Sequence, residues 1–161
     1  MIKNLLLVIC LIFIFQVSIV NPQDAKKTGK VTGLEIPRFV SLKKSKTFLR
    51  RGPSKSYKID WILERNNYPL KVIAEHEHWR QVRDFQGDEG WVYFRLLSGK
   101  RTIIILKDEV FLRKSSKKNS NPIGILKYGV IGELIDTKEN FCNARFQNLK
   151  GWINKSDAWG C

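Results

Sequence analysis

The stretch Thr47-Phe48-Leu49-Arg50 decides the fold, because it returns 63 residues later as Val110-Phe111-Leu112-Arg113. Each copy closes on a Gly-Trp-aliphatic step, Gly90-Trp91-Val92 and then Gly151-Trp152-Ile153, at an offset of 61 residues. Two runs between these markers also match, residues 70–75 with 131–136 and residues 79–83 with 141–145. An offset that nearly holds across four matched runs indicates an internal repeat of roughly sixty residues.

Each copy consists of short apolar runs separated by turn-forming clusters, and no long periodicity of 3.6 residues appears past residue 21. This spacing predicts an all-β fold with about five short strands in each copy. A domain this small usually closes its sheet into a barrel, which avoids open edges. The sequence therefore predicts two tandem small barrels, at residues 39–98 and 99–161. The glycine before each tryptophan fits a tight turn or a bulge, where a side chain would obstruct the backbone.

The N-terminus has the pattern of a secretory signal peptide. A short positive start, Met1-Ile2-Lys3-Asn4, precedes sixteen uncharged residues from Leu5 to Val20. This run is short for a membrane-spanning helix, which needs ~20 apolar residues. We expect cleavage after Ala25, so that residues 1–25 are the signal peptide, residues 26–38 are a polar linker, and the protein is exported to the periplasm or cell surface. The alternative is an uncleaved anchor, because no small-x-small site follows the run, and only then would the membrane be a partner.

Export places the remaining cysteines in an oxidising compartment. Cys142 and Cys161 remain once Cys10 leaves with the signal peptide, and such a pair can form a disulfide. The alternative is a half-buried Cys142 and a free Cys161. No CxxC or Cys/His spacing indicates zinc, and the sequence predicts neither a metal nor a cofactor.

The first copy carries the most specific motif. Leu49-Arg50-Arg51-Gly52-Pro53-Ser54-Lys55-Ser56-Tyr57 resembles the opening segment of the bacterial SH3 (SH3b) domain family, an aliphatic-Arg-x-Gly-Pro-Ser-x-x-Tyr stretch. The resemblance implies that Gly52 and Pro53 form the turn of a long first loop and that Tyr57 packs at its base. Residues 79–82 and 90–92 resemble the later strands of the family, and Leu96-Leu97 its closing pair. Two SH3-like barrels would then cover residues 39–161.

The second copy departs from the family pattern. It reads Lys114-Ser115-Ser116-Lys117-Lys118 where the first copy has the Gly-Pro turn, and Phe141 where the first has Trp79. In the first copy, Phe48 stands where the family usually has Asn. The closing segment Asp157-Ala158-Trp159-Gly160 is similar to the end of exported tandem SH3-like proteins of Gram-negative bacteria. We expect a ligand site on the first copy and a spacer in the second.

The resemblance implies a binding module without catalytic activity, one that attaches to cell-wall peptides or brings a partner enzyme to the wall. The candidate site is a shallow cleft beside Gly52 and Pro53, because flat aromatic faces suit peptide or sugar recognition. Its predicted aromatic residues are Tyr57, Trp61, Trp91 and Tyr93. For Trp91, as for Trp79, the alternative is a place in the core of a small barrel.

Basic side chains surround the same loop. Arg50 and Arg51, with Lys55 and Lys58, could grip a carboxylate or a phosphate, and arginine can do so through two hydrogen bonds. The alternative is a solvated face of the loop.

The formal net charge is +14, from 29 Lys and Arg against 15 Asp and Glu, and this balance favours polyanionic partners. The excess is spread along the chain, and export also argues against nucleic acid. The alternatives to peptide recognition are binding of nucleic acid or another polyanion, such as an anionic envelope polymer, and regulation of an envelope hydrolase. His76 and His78 fit a solvated hairpin tip better than a metal site. No nucleophile with a nearby base and no phosphate loop is evident, so we expect no enzymatic activity.

Overall fold

The structure, a computed structural model, describes residues 27–161, and this part of the chain is all-β. The predicted signal peptide lies outside the described residues. The first seven strands are β1 Arg38–Leu42, β2 Thr47–Arg50, β3 Ile59–Leu63, β4 Pro69–His76, β5 Trp79–Arg83, β6 Glu89–Tyr93 and β7 Leu97–Ser98. The next seven are β8 Thr102–Ile105, β9 Glu109–Arg113, β10 Pro122–Lys127, β11 Ile131–Lys138, β12 Phe141–Phe146, β13 Leu149–Asn154 and β14 Ala158–Trp159. These residues contain no helix with the length and apolar character of a membrane span.

The strands form two antiparallel sheets with the same order, which confirms the all-β prediction. The first sheet runs β3-β2-β6-β5-β4-β1-β7 and the second β10-β9-β13-β12-β11-β8-β14, so each strand has a counterpart seven places later. A short 3₁₀ turn precedes the last strand of each sheet, at Phe94–Leu96 and at Lys155–Asp157. We call β1–β7 the first barrel and β8–β14 the second barrel. The residue boundaries 98 and 99 between two domains stay a prediction.

Each barrel closes around a small aliphatic core. In the first, Leu49, Val82 and Val92 are fully buried, and in the second Leu112 and Ile153 take the corresponding places. Side chains alternate between the two faces of a strand, so their strand neighbours point outward. The side chains on the outer face of β5 and β6 therefore lie outside the core, where a ligand could reach them.

The glycines before Trp91 and Trp152 lie within strands β6 and β13, so the predicted tight turn or bulge is wrong at both. A Cβ on Gly90 would lie 2.9 Å from the Cβ of Leu49, and one on Gly151 would lie 2.6 Å from the carbonyl oxygen of Arg113. The strands β2 and β6, like β9 and β13, cross too closely for a side chain. Glycine is required by this close approach.

Residues 27–37, which the sequence assigns to a linker, instead fold back on the first barrel. Thr28 pairs with Glu35 in an isolated bridge, and the side chain of Ile36 enters the first core. The anchor is Glu75, whose carboxylate has no exposed surface. It accepts hydrogen bonds from the amides of Val31 and Thr32 at 3.0 and 2.9 Å and from the Thr32 hydroxyl at 2.7 Å.

Two arginines complete the surroundings of Glu75. Nη2 of Arg38 lies 2.7 Å from Oε1 of Glu75, and Nε of Arg80 lies 3.5 Å from the same oxygen. Burial alone would raise the pKa of Glu75, but the hydrogen bonds from Thr32, Arg38 and Val31 outweigh it and lower the pKa from 4.5 to about 2. Glu75 is therefore ionised at neutral pH and joins the N-terminal segment to the first barrel.

The two barrels share an apolar contact. Ile104 of β8 is buried in the first core, and the Trp159 ring meets the Phe39 ring edge-on with centroids 4.9 Å apart. Nζ of Lys71 lies 4.9 Å from the Phe39 centroid, in cation–π geometry. In the second barrel the sulfurs of Cys142 and Cys161 are joined in a disulfide, with Cα atoms 6.2 Å apart. The disulfide fixes the C-terminal segment that carries Trp159.

Candidate functional site

An aromatic groove of about 310 Å³ opens on the outer face of the first barrel. Its lining residues are Phe48, Arg50, Lys55, Trp79, Tyr93 and Leu96. Val82 of β5 and Val92 of β6 point into the core. Trp79 and Tyr93 of the same two strands therefore project from the outer face of the sheet. They stand directly opposite each other, with ring centroids 5.8 Å apart and planes at 67°. We call this feature the aromatic groove.

Arg50 holds the loop that borders the groove. Its Nη1 donates to the carbonyl oxygens of Lys55 and Tyr57, at 2.9 and 2.8 Å. The second barrel repeats the arrangement, since Nη1 of Arg113 donates to the Ser120 carbonyl at 2.7 Å. Nη1 of Arg50 is thus occupied by hydrogen bonds to the backbone of the loop, and these bonds compete with the predicted binding of an anion by Arg50.

Arg51 is also engaged, and Lys55 is not. Nε of Arg51 lies 2.6 Å from Oδ1 of Asp60, and the Arg51 side chain is otherwise exposed. Within residues 27–161 no acidic side chain lies within ion-pair distance of Nζ of Lys55. Lys55 is thus the cation at the groove that remains available to a ligand carboxylate.

The predicted loop residues pack together but stand beside the groove. A Cβ on Gly52 would lie 2.7 Å from three atoms of the Tyr57 ring, so the ring lies flat against this glycine. Pro53 follows in the same turn, and Tyr57 keeps about half of its surface exposed. Tyr57 therefore braces the loop next to the aromatic groove.

Two predicted aromatic residues lie elsewhere. Trp61 is on the outermost strand β3 and is half exposed, and Trp91 stands opposite Arg50 and Gln81 on the outer face of the barrel. Neither lines the groove, which Tyr93 does. Trp91 is absent from the buried cluster of the first barrel, so its alternative assignment to the core is wrong.

The sequence reasoning missed Trp79, Phe48 and Leu96 as groove residues. Trp79 is 9% exposed, as expected for a large buried ring. It nevertheless lies outside the core cluster of the first barrel and is one of the residues that line the groove. A signal was present in the sequence. Trp79 is three positions from the inward Val82 in one strand, and an odd separation puts the two side chains on opposite faces.

The histidines at the hairpin tip contact aromatic rings. The His78 ring stacks on Phe94 with centroids 5.8 Å apart, and His76 meets Trp91 edge-on at 6.4 Å. Within the described part of the chain, no three His, Cys, Asp or Glu side chains gather as metal ligands would. The His78–Phe94 stack extends the aromatic surface next to Tyr93, whose ring centroid is 5.2 Å from that of Phe94.

The corresponding place on the second barrel has different chemistry. There Phe141 stands opposite Asn154, in the positions of Trp79 and Tyr93. The smaller cleft, of about 200 Å³, contains an ion pair between Lys107 and Asp157. Its other lining residues include Glu109, Phe111 and Arg113. The aromatic groove is therefore a feature of the first barrel, because the second fills the equivalent place with internally paired charges.

Comparisons with known proteins bear on the first barrel. No curated protein matches the chain. The solved structures to which the chain is similar include NlpC2 from Trichomonas vaginalis, which is 11% identical with a TM-score of 0.35, over 76% of this chain and 47% of that one. NlpC1 from the same organism is 10% identical with a TM-score of 0.35, over 76% and 45%. An NlpC/P60 family protein from Bacillus cereus is 11% identical with a TM-score of 0.34, over 74% and 55%.

The chain thus spans about half the length of these structures. Residues 43–99 match the family model described as the bacterial SH3 domain. This range includes β2–β7 and every residue that lines the aromatic groove. The match to the bacterial SH3 domain model therefore covers the first barrel from β2 to β7.

Proposed function

We propose that the chain is a non-catalytic binding module of the cell envelope, whose aromatic groove recognises a cell-wall peptide or an envelope protein. The observation that carries the proposal is the paired rings of Trp79 and Tyr93 on the outer face of the barrel that matches the bacterial SH3 domain model. Beside them stands Lys55, which has no acidic partner among residues 27–161. The signal-peptide pattern at residues 1–25 supports a place in the envelope.

The groove suits an extended chain with an apolar side chain. Phe48 and Tyr93 offer accessible rings that exclude water from such a side chain, and the tyrosine adds a polar tip. Trp79 is largely buried and packs against the Tyr93 ring. Lys55 at the border is placed to meet a carboxylate, and Arg50 keeps the loop that carries this lysine in position. Aromatic anchors of this kind often supply most of the free energy of binding.

The test is sedimentation of the purified full-length chain with isolated cell-wall sacculi. Tyr93→Asn gives the first barrel the residue of the second, and we expect binding to weaken at least about tenfold, because hot-spot aromatics contribute roughly 2 kcal/mol or more. The matched control is Asn154→Ala in the second barrel, which should bind like the wild type. Near-ultraviolet circular dichroism checks that both variants are folded. Equal binding by Tyr93→Asn and the wild type would contradict the proposal.

A second candidate, binding of an anionic polymer, rests on the loop after β9. Lys114, Lys117 and Lys118 are exposed there, and in residues 27–161 none of them has an acidic side chain within ion-pair distance. A salt series in the same assay separates the two functions, since binding through many lysines weakens steeply as salt rises. Binding that survives Tyr93→Asn and falls with salt would assign the function to these lysines.

A further inference from the structure

A cavity of about 200 Å³ lies between the N-terminal segment and the first barrel. Thr32 and Leu34 line it from the segment, and Arg80, Phe94 and Gly99 line it from the other side. Among the described residues, none lines both this cavity and the aromatic groove. We call it the N-terminal cavity, and it is a second concave surface, separate from the groove.

Arg80 brings a buried cation to this cavity. It stands two positions before Val82 in β5, so both side chains point to the interior of the barrel, and Arg80 is only 6% exposed. Its Nη1 donates to the carbonyl oxygens of Glu77 and Trp79, both at 2.9 Å. Its Nη2 has no hydrogen-bond partner among the described residues and is nevertheless accessible to solvent. A buried arginine thus keeps one donor nitrogen open to a ligand.

The charges of Arg38, Glu75 and Arg80 do not cancel. Arg38, which also lines the cavity, pairs closely with Glu75 at 2.7 Å, whereas Nε of Arg80 stands 3.5 Å from the same carboxylate oxygen. Two guanidinium groups and one carboxylate leave an excess of one positive charge in this cluster. An uncompensated charge in a poorly solvated place is costly, and a bound anion offsets that cost.

The fold does not require a cation at the position of Arg80. In the first sheet Arg80 stands opposite Val92, and in the second sheet Cys142 stands opposite Ile153, the counterpart of Val92. Cys142 therefore occupies the equivalent interior position, where it is bonded to Cys161. The second barrel uses this position to hold the C-terminus, whereas the first barrel places a positive charge there, next to a cavity.

We propose that the N-terminal cavity binds a carboxylate that carries a short aliphatic chain. The carboxylate accepts a charge-assisted hydrogen bond from Nη2 of Arg80. Leu34 and Phe94, which are 55% and 37% exposed, offer apolar surface to the aliphatic chain. The volume is below that of most sites for larger ligands, so the chain is short. Two sources share this chemistry, a free short-chain acid and the C-terminal residue of a polypeptide.

Titration of the isotope-labelled full-length chain, followed by nitrogen–proton correlation spectra, tests the proposal with three probes. N-acetyl-leucine carries the carboxylate of a chain end, isovalerate is a free acid with a similar branched chain, and N-acetyl-leucine amide lacks the charge. We expect the acids to shift the Gly99 amide and the Arg80 Nε–H signals with a dissociation constant on the order of 1 mM, as their size allows. The amide should bind at least about tenfold more weakly. Tighter binding of N-acetyl-leucine than of isovalerate identifies a chain end as the source, and the reverse identifies a free acid.

Two substitutions test the location. Among the described residues no atom beyond its chain neighbours lies within 4 Å of a Cβ built on Gly99, so Gly99→Leu should fill the cavity and weaken binding of N-acetyl-leucine at least about tenfold. Leu34→Ser removes apolar surface and should weaken it at least about threefold. The matched control is Val31→Ser, an exposed residue of the same segment that does not line the cavity, and it should bind like the wild type.

Near-ultraviolet circular dichroism checks that all three variants are folded. Three results would overturn the proposal: no saturable shift with either acid, binding of the amide as tight as that of N-acetyl-leucine, or wild-type binding by the folded Leu34→Ser chain.

Discussion

The Glu75→Gln chain is expected to be about 3 kcal/mol less stable than the wild type at pH 7. Glutamine keeps the size of the side chain but removes the charge that neutralises Arg38 and Arg80. Both arginine side chains are largely buried, so the loss of their counter-charge is costly. Urea denaturation followed by tryptophan fluorescence measures the difference. Glu77→Gln, two residues away in the exposed turn, is the control and should unfold like the wild type.

The same carboxylate makes stability depend on acid. The folded-state pKa of Glu75 is lowered from 4.5 to about 2, so its contribution is fully present above pH 4.5 and is lost as the pH falls towards 2. The wild type should therefore lose stability over this window more steeply than Glu75→Gln. Amide exchange at Val31 and Thr32, which donate to Glu75, should accelerate in the variant. Parallel acid profiles of the two chains would rule out this account of Glu75.

Loss of the disulfide is the second large effect. Cys161→Ser should lower the free energy of unfolding by about 3 kcal/mol, as expected for a bridge that closes a loop of this size. The bridge joins residues 19 positions apart and attaches the last residue to the buried Cys142. Nη2 of Arg101 donates to the carbonyls of Gly160 and Cys161, at 3.2 and 3.1 Å, and these bonds should weaken with it.

The consequence reaches the contact between the barrels. Trp159 lies two residues before Cys161 and packs on Phe39, so release of the C-terminus should expose its indole ring. Acrylamide quenching of tryptophan fluorescence should increase in Cys161→Ser. A reducing agent should shift the urea midpoint of the wild type and leave that of the Cys142→Ala/Cys161→Ser double variant unchanged. A wild type that is insensitive to reduction would contradict this role.

The sequence is sufficient to predict the fold because the repeated residues are those that fill the core and allow strands to approach closely. The leucines that enter each core recur at Leu49 and Leu112, and Gly90 and Gly151 recur where two strands cross closely. These constraints act within each copy, so the recurrence of the pattern implies recurrence of the topology. The predicted turn or bulge at these glycines is nevertheless wrong, because the close contact that requires them joins positions about 40 residues apart.

The groove was only partly predictable. The sequence predicts Tyr93 as a site residue, whereas the size of Trp79 favours a place in the core, and Phe48 stands out only as a departure from the family pattern. The Glu75 anchor could not be found, since its partners Val31 and Thr32 belong to a polar segment with no periodic pattern. Polar long-range contacts leave no local signature of this kind in a single sequence.

The five tryptophans of the chain allow a direct test of the central claim, that the aromatic groove of the first barrel binds envelope peptides. Each indole N–H gives its own signal in a nitrogen–proton correlation spectrum, and substitutions assign them. Titration with soluble peptide fragments released from cell-wall sacculi should shift the signal of Trp79 and leave that of Trp152 unchanged. Shifts confined to Trp152 or Trp159, or no shift at saturating peptide, would contradict the claim.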